Sequence, residues 1–171
     1  MVFMPQTKLK QKLQIKPLKT IHYRSVDGIY RGVVKEYLDE LQTSGRQREF
    51  DRERATISRA LPLKELEFYA KKGCSFVALI GRRVVGFILV QPLDWVGSAP
   101  RTLWLEYIAV GREHRHQGVG LSLLSAVKSY ARQHDIQPML ATLNVDNAAS
   151  RVLLTKSGFD VRNWMIAVYS E

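Results

Sequence analysis

The stretch Arg115-His116-Gln117-Gly118-Val119-Gly120 lies between an apolar segment and an amphipathic segment of the chain. The apolar segment, residues 103–110, is rich in aromatic and branched side chains, which favour a buried strand. In the segment that follows, apolar residues recur at steps of three and four, as on one face of a helix. These residues are Leu123, Leu124, Val127, Tyr130 and Ala131. The two glycines are therefore predicted to lie in a strand-to-helix turn.

A turn of this kind suits a phosphate group. Two glycines one residue apart let backbone N–H groups approach a ligand where a Cβ would collide with it. The helix that follows adds unpaired N–H donors and the positive end of its dipole. Arg115 and His116 place cationic or protonatable side chains beside the turn. A turn that merely requires small residues would give the same Gly-x-Gly pattern.

A second stretch makes the pattern more specific. Arg115-x-x-Gly118-x-Gly120, after a strand that ends at Val110, resembles the acetyl-CoA-binding motif of the GCN5-related N-acetyltransferase (GNAT) family. Residues 147–159 begin with Asn147 and end with Gly158-Phe159, and they resemble that family's later Asn-to-Gly-Phe pattern. The resemblance spans most of residues 13–171. It implies the GNAT (acyl-CoA N-acyltransferase) fold, an α/β (α+β) class with a single mixed, mainly antiparallel sheet, splayed central strands and flanking helices.

Composition sets the broad class of the protein. The chain has 171 residues, of which 46% are hydrophobic and 25% charged, so it is expected to form one globular domain. We assign residues 13–171 to a single N-acetyltransferase domain and residues 1–12 to a basic, flexible tail. The single cysteine, Cys74, excludes an internal disulfide and favours a reducing compartment. With no membrane-spanning or secretory segment evident, the protein is expected to be soluble and cytoplasmic.

The net charge of +10 is concentrated towards the N-terminus. Residues 1–24 carry six Lys and Arg side chains and no acid. Such a segment could bind nucleic acid or the ribosome, although a solvated basic tail is the simpler interpretation. A ligand with several phosphates would also favour a basic protein.

The remaining pattern predicts the order strand, two helices, three strands, helix, strand, helix, strand. The first strand lies within 13–23 as an edge strand, since it contains Pro17. The next helix is capped by Ser25 or Asp27, residues 46–54 form an exposed segment, and a second helical region runs through Ile57 and Leu61. A fresh helix can start at Pro62, and Asn147 is predicted to cap the last helix. Residues 92–100 are predicted to be a loop, Trp95 and Trp104 to belong to the core, and residues 161–169 to supply the last one or two strands.

The resemblance implies which residues hold the co-substrate acetyl-CoA; no metal is expected. The strands that end near residues 110 and 143 should splay apart, and their unpaired backbone groups can then bind the amide-bearing pantetheine arm. The implied cofactor-binding residues lie on the first strand, the glycine turn and the last helix. They are Ile108, Ala109, Val110, Arg115, His116, Gln117, Gly118, Val119, Gly120, Asn144, Asn147, Ser150 and Leu153.

Glu106 is the candidate general base, because it is the lone acid in an apolar strand and burial makes a carboxyl hold its proton more tightly. Strict strand alternation would point its side chain away from Tyr107 and along the side of Ile108. A structural glutamate paired with a nearby cation is the alternative.

The candidate general acid is less well defined. Where the family commonly has a tyrosine, this chain has Leu154, which cannot donate a proton. Ser150, Tyr107 and Tyr169 are the substitutes, and a coenzyme A thiolate could also take its proton from water.

The predicted activity is transfer of the acetyl group of acetyl-CoA to a primary amine, directly in a ternary complex. The acceptor is an amine-bearing small molecule or a protein or peptide, no membrane is involved, and the protein is a monomer or homodimer. Two alternatives remain open. One is a non-catalytic acyl-CoA-binding module, which Leu154 favours, and the other is a nucleic-acid-associated protein that uses its basic N-terminus.

Overall fold

Strands and helices alternate along the chain in the computed structural model, which describes residues 12–58, 60–144 and 146–162. The strands are β1 (Leu13–Pro17), β2 (Phe76–Ile80), β3 (Arg83–Val96), β4 (Ala99–Val110) and β5 (Met139–Ala141). The helices are α1 (Tyr23–Thr43), α2 (Gln47–Thr56), α3 (Leu63–Lys72), α4 (Val119–Gln133) and α5 (Ala148–Lys156). Short 3-10 turns at Thr20–His22 and Arg112–His114 precede α1 and follow β4.

The five strands form one sheet in the order β1-β2-β3-β4-β5. The first three pairings are antiparallel, and only β5 runs parallel to its neighbour, β4. Since a parallel neighbour requires a crossover, α4 connects these two strands. The mixed, mainly antiparallel sheet with flanking helices confirms the predicted fold class.

Both faces of the sheet are covered, and each face has its own core. The first core lies under α4 and α5 and includes Ile88, Val90 and Leu123. The second core lies under α1 and α3 and includes Phe87 and Leu89. Adjacent residues of β3 therefore face opposite cores, which explains why this strand is a continuous apolar run rather than an alternating one.

Cys74 is fully buried in the first core. Its sulfur lies 3.1 Å from the carbonyl oxygen of Val90, to which it donates. Burial raises the pKa of the thiol to about 11, so the group stays protonated at neutral pH. A protonated, enclosed thiol is a packing group and not a nucleophile.

The predicted start of α1 is wrong by about one turn. The helix begins at Tyr23, and neither Ser25 nor Asp27 caps it. The buried face of α1 includes Tyr23, Val26 and Tyr30. The apolar stripe therefore begins at Tyr23, although charged residues lie between these positions in the sequence. The Asp27 carboxylate instead accepts from the backbone N–H of Leu61 at 2.9 Å and fixes the link between α2 and α3.

The predicted loop over residues 92–100 is also wrong, because β3 and β4 continue through it as a hairpin. Pro92 pairs with Leu103 at a point where β3 has β4 on one side only. A residue without an N–H donor is tolerated there. This hairpin extends past β2, so no core lies beside Trp95. Trp95 is 75% exposed, contrary to prediction, whereas Trp104 is half-buried.

Residues 47–56 form a complete helix, so three helices and not two separate β1 from β2. Ile57 ends α2 and does not begin another helix. The final strands predicted over residues 161–169 lie almost wholly outside the described residues, as does Tyr169. Among the helices described, none is both long and apolar enough to cross a membrane.

Candidate functional site

A gap opens between β4 and β5. The two strands pair only from Leu103 to Leu105, against residues 139–141, and they separate beyond that point. The splay predicted for the strands ending near residues 110 and 143 is therefore present. The cavity in the gap has a volume of about 220 Å³. It is lined by Leu105, Glu106, Tyr107, Ile108, Ala141, Thr142, Leu143, Asn144, Asn147, Ser150 and Leu154.

A β-bulge places Glu106 at the edge of this gap. Leu89 pairs with Tyr107 and Val90 with Leu105, so Glu106 is the extra residue of β4. The bulge breaks strict alternation, because Leu105 faces the first core and Tyr107, two residues later, packs against the second. Glu106 acts electrostatically on Glu65 of α3, on Tyr107's side of the sheet. The bulge removes the strict alternation on which the expected orientation, opposite to Tyr107, was based. The expected burial is wrong, because Glu106 is exposed.

Tyrosines and a second carboxyl surround Glu106 on that side. The rings of Tyr30 and Tyr107 meet edge to face with their centroids 5.4 Å apart. Burial raises the pKa of the Tyr107 hydroxyl, and the nearby groups Tyr30, Glu65 and Glu106 raise it further. Burial also raises the pKa of Glu65, and the negative charge of Glu106 adds to that effect. Tyr107 is consequently a protonated hydroxyl at neutral pH.

The opposite wall of the gap is the start of α5 and the loop before it. The side-chain oxygen of Asn147 accepts from the Ser150 N–H at 3.0 Å, which makes Asn147 the N-cap, as predicted. Asn147 and Asn144 are exposed, and Ser150 is half-buried. This arrangement directs polar side chains into the gap from α5 while Leu154 lines it with an apolar one.

The glycine turn joins β4 to α4, as the sequence predicted. Gly118 is the N-cap of α4 with a φ of 79°, a left-handed conformation that favours glycine, and no atom lies within 4 Å of the position a Cβ would take. His116 also has a positive φ, 59°. Within the described part of the chain, no side chain caps the start of this helix. The first N–H groups of α4 therefore remain available to an anion.

Two polar side chains of the turn fold back onto it. Arg115 donates to the carbonyl oxygen of Val110 at 3.1 Å and to the Glu36 carboxylate of α1 at 2.6 Å. Gln117 donates to the carbonyl oxygen of Glu113 at 2.9 Å. Arg115 thus fixes the turn against α1, and its role as a cationic partner of the diphosphate stays a prediction.

Gly120 has a different role from Gly118. A Cβ on Gly120 would lie 3.1 Å and 3.2 Å from the two methyl carbons of Leu153 on α5. The residue is therefore small so that α4 and α5 can pack, and Leu153 fills the space beside it. Packing against Leu153 is thus sufficient to require a glycine at position 120, and the approach of a ligand to this residue stays a prediction.

The fold brings six of the predicted site residues into the gap: Glu106, Tyr107, Ile108, Asn144, Asn147 and Ser150. Ala109 instead packs in the second core, and residues 115–120 form the separate turn at the start of α4. Four residues near the gap were not predicted as site residues. Thr142 and Leu143 line it, and Tyr30 of α1 and Glu65 of α3 lie near Tyr107. No local motif marks these residues, since they reach the site only through packing.

Comparisons with known proteins agree with this geometry. The model of the acetyltransferase (GNAT) family matches residues 31–159. GCN5-related N-acetyltransferase 7, chloroplastic, of Arabidopsis thaliana is 29% identical over 135 residues, which cover 70% of this chain and 49% of that protein. Probable N-acetyltransferase camello of Xenopus laevis is 35% identical over 80 residues, which cover 46% of this chain and 35% of that protein. The chain thus matches half or less of the length of these relatives.

Solved structures share the fold. The aminoglycoside N-acetyltransferase AAC(6')-Iy in complex with CoA superimposes with a TM-score of 0.68 at 18% identity, covering 96% of this chain and 98% of that chain. TTHA1254 from Thermus thermophilus superimposes with a TM-score of 0.65 at 20% identity, covering 92% of this chain and 96% of that chain.

Proposed function

The chain belongs to the acetyltransferase (GNAT) family, and on that premise we propose that it transfers the acetyl group of acetyl-CoA directly to a primary amine in a ternary complex. The observation that carries this proposal is the gap between β4 and β5, which opens beside the uncapped start of α4. An extended ligand with a diphosphate at one end and amides along its length matches both features.

The chain's own groups fit such a ligand. Backbone N–H groups of residues 117–120 would bind the diphosphate, because the α4 dipole and its unpaired donors favour negative charge. The edge of β4 at Ile108 to Val110 would pair with the amide-bearing arm, and a backbone N–H there would polarise the thioester carbonyl. Asn144 and Asn147 would bind the arm from the opposite wall. His116 and Val119 are also proposed to bind the cofactor, because they belong to the turn. Leu153 is included because it packs against Gly120 of that turn.

The reaction forms one bond and breaks one. The acceptor nitrogen bonds to the acetyl carbonyl carbon as the carbon–sulfur bond breaks, and acetyl-CoA supplies the thioester that makes the acetyl group transferable. Glu106 accepts the proton that the amine releases, because its exposed carboxylate lies at the gap. Tyr107 or Ser150 donates a proton to the departing sulfur. Because the raised pKa of Tyr107 makes its hydroxyl a weaker acid, water is the alternative proton source. Proximity of the two substrates supplies much of the remaining rate.

Acetyl-CoA binding is tested by replacing Gly118 with valine. A β-branched residue is strained at a φ of 79°, so the turn must change shape and misdirect its N–H groups. We expect calorimetry to show no acetyl-CoA binding by Gly118→Val. Gly97→Val is the matched control, because Gly97 has a φ of 60° and equally open surroundings but lies in the β3–β4 hairpin. Equal affinity in the two variants would contradict the assignment of the turn.

The acceptor is sought by an acetyl-transfer screen of peptides, polyamines and aminoglycosides, read by release of coenzyme A. Turnover with any of these amines supports the enzyme. The runner-up is an acyl-CoA-binding module without turnover, which is favoured by the apolar Leu154 in the gap where the family commonly has tyrosine. Saturable acetyl-CoA binding with no thiol release across the screen would support that alternative. The cytoplasmic location stays a prediction.

A further inference from the structure

We infer that Arg46 is a positioning residue for the cofactor wall of the gap, because it ties α2 to the loop at residues 144–147. We call this contact the Arg46 clasp, and it comprises Arg46, Glu49 and Asp146 together with Tyr37 and Asn144. The inference rests on the proposed function in one respect, namely that this wall binds acetyl-CoA.

The clasp joins two distant parts of the chain. The Nη2 atom of Arg46 lies 2.5 Å from Oδ2 of Asp146, a contact between residues 100 positions apart. The same guanidinium donates to both oxygens of the Glu49 carboxylate, from Nε to Oε1 at 2.9 Å and from the same Nη2 atom to Oε2. Glu49 therefore orients Arg46 towards the loop.

The loop that receives this contact is itself linked to the gap. Asn144 accepts from the Asp146 N–H at 3.1 Å through its side chain and from the Asn147 N–H at 2.9 Å through its carbonyl. Asn147 in turn caps α5 through the Ser150 N–H. Tyr37 of α1 also lies beside the Asn144 side chain, which lowers the pKa of the Tyr37 hydroxyl against the larger rise caused by burial. Three members of this chain of contacts, Asn144, Asn147 and Ser150, line the gap.

The gap itself explains why such a clasp is needed. A strand in a sheet is normally held by its neighbour, but β5 loses β4 after Ala141. The described residues that follow, 142–144, 146 and 147, have no strand pairing with β4. A loop without such pairing opens at little cost. Arg46 and Tyr37 provide support from the helices instead. A single exposed ion pair is weak, but here Glu49 and Asn144 already orient both partners, so less conformational entropy is lost when the pair forms.

The test compares Arg46→Met with wild type in two measurements. Hydrogen exchange followed by mass spectrometry reports the opening of residues 142–150 without any ligand. Calorimetry with acetyl-CoA reports its Kd. We expect faster exchange in that segment and a Kd raised roughly threefold to tenfold, which lies in the lower part of the range of coupling energies found for groups in one network. Asp146→Asn should act in the same direction, and the double variant should be no worse than either single variant.

Arg101→Met is the control, since it removes an exposed Arg–Asp pair of the β3–β4 hairpin, away from the gap. It should leave both measurements unchanged. Unchanged exchange in Arg46→Met would overturn the inference, and so would faster exchange with an unchanged Kd. Wild-type protein that fails to bind acetyl-CoA would refute the proposed function instead, and the exchange comparison would then decide separately whether the clasp orders the loop.

Discussion

At the scale of single residues, Glu106 owes its position to the one extra residue in β4. Without the bulge, Leu105 and Tyr107 would face the same core, and the acid between them would point to the opposite face of the sheet. With it, the carboxylate lies at the gap, beside Tyr107 and within electrostatic reach of Glu65. A carboxylate at this place is accessible to solvent, which can carry its proton away.

Glu106→Gln keeps the shape of the side chain and removes the proton acceptor. We expect kcat for the best acceptor of the amine screen to fall about 100-fold, a typical contribution of a general base. The pH–rate profile should change shape, and the Kd for acetyl-CoA should not. Asp94→Asn, which removes an exposed acid from the β3–β4 hairpin, is the control. A Glu106→Gln profile that matches wild type would assign the proton transfer elsewhere.

Glu65 provides a test of pH-dependent stability. Folding raises its pKa through burial and the charge of Glu106, so folding favours the protonated form. The stability that this contributes is present below the unfolded pKa, about 4.3, and is lost as the pH rises through the raised folded value. Glu65→Gln should therefore gain in Tm relative to wild type between pH 4 and pH 7. Glu67→Gln, on the exposed face of the same helix, should show no such trend.

At the scale of elements, the two glycines of the turn serve different purposes. Gly118 supplies the left-handed conformation with which α4 begins, whereas Gly120 lets Leu153 of α5 rest on α4. The motif thus sets both the direction of the helix start and the distance between two helices. Because α5 carries Asn147 and Ser150, this distance also sets the width of the gap.

Gly120→Ala should destabilise the protein by about 1–3 kcal/mol, because the new methyl group overlaps Leu153 in a packed interface. Chemical denaturation measures this directly. Gly32→Ala is the matched control, as Gly32 lies in the exposed middle of α1 with no atom within 4 Å. It should stabilise by up to about 1 kcal/mol through helix propensity. Equal effects of the two changes would show that α5 yields to the added methyl group.

At the scale of the whole molecule, the two cores share one sheet. Phe87 faces the second core and its neighbour Ile88 the first, so loss of either core removes support from the same strand. The single domain assigned to residues 13–171 is therefore expected to unfold in one cooperative step.

Phe87→Ala and Leu123→Ala test this, since one opens a cavity in the second core and the other in the first. We expect losses of about 3–5 kcal/mol and about 2–5 kcal/mol. Each variant should still show a single transition by both circular dichroism and tryptophan fluorescence. Two separated transitions in either variant would mean that the cores fold independently.

The basic N-terminus is also a property of the whole molecule, and most of its positive residues lie at or before Lys16. Its association with nucleic acid stays a prediction. Affinity for RNA or DNA that falls steeply with salt, and is lost when residues 1–24 are removed, would support it.

The sequence alone was sufficient for the features that depend on local rules. A positive φ requires glycine at position 118, an Asn before a helix caps it at position 147, and an apolar run of branched residues makes β2 and β3. Each follows from the residue and its near neighbours, which is why the turn, the cap and the order of most elements were predicted correctly.

Only the tertiary structure decided the features that depend on distant partners. The expected burial of Glu106 was wrong, because no residue type marks a bulge in the sequence. The expected core position of Trp95 was wrong, because β3 extends beyond its pairing with β2. Likewise, the contact of Arg46 with Asp146 follows from a fold that brings residues 100 positions apart to 2.5 Å. Local patterns specify backbone conformation, but the exposure and partners of a side chain depend on which other parts of the chain pack around it.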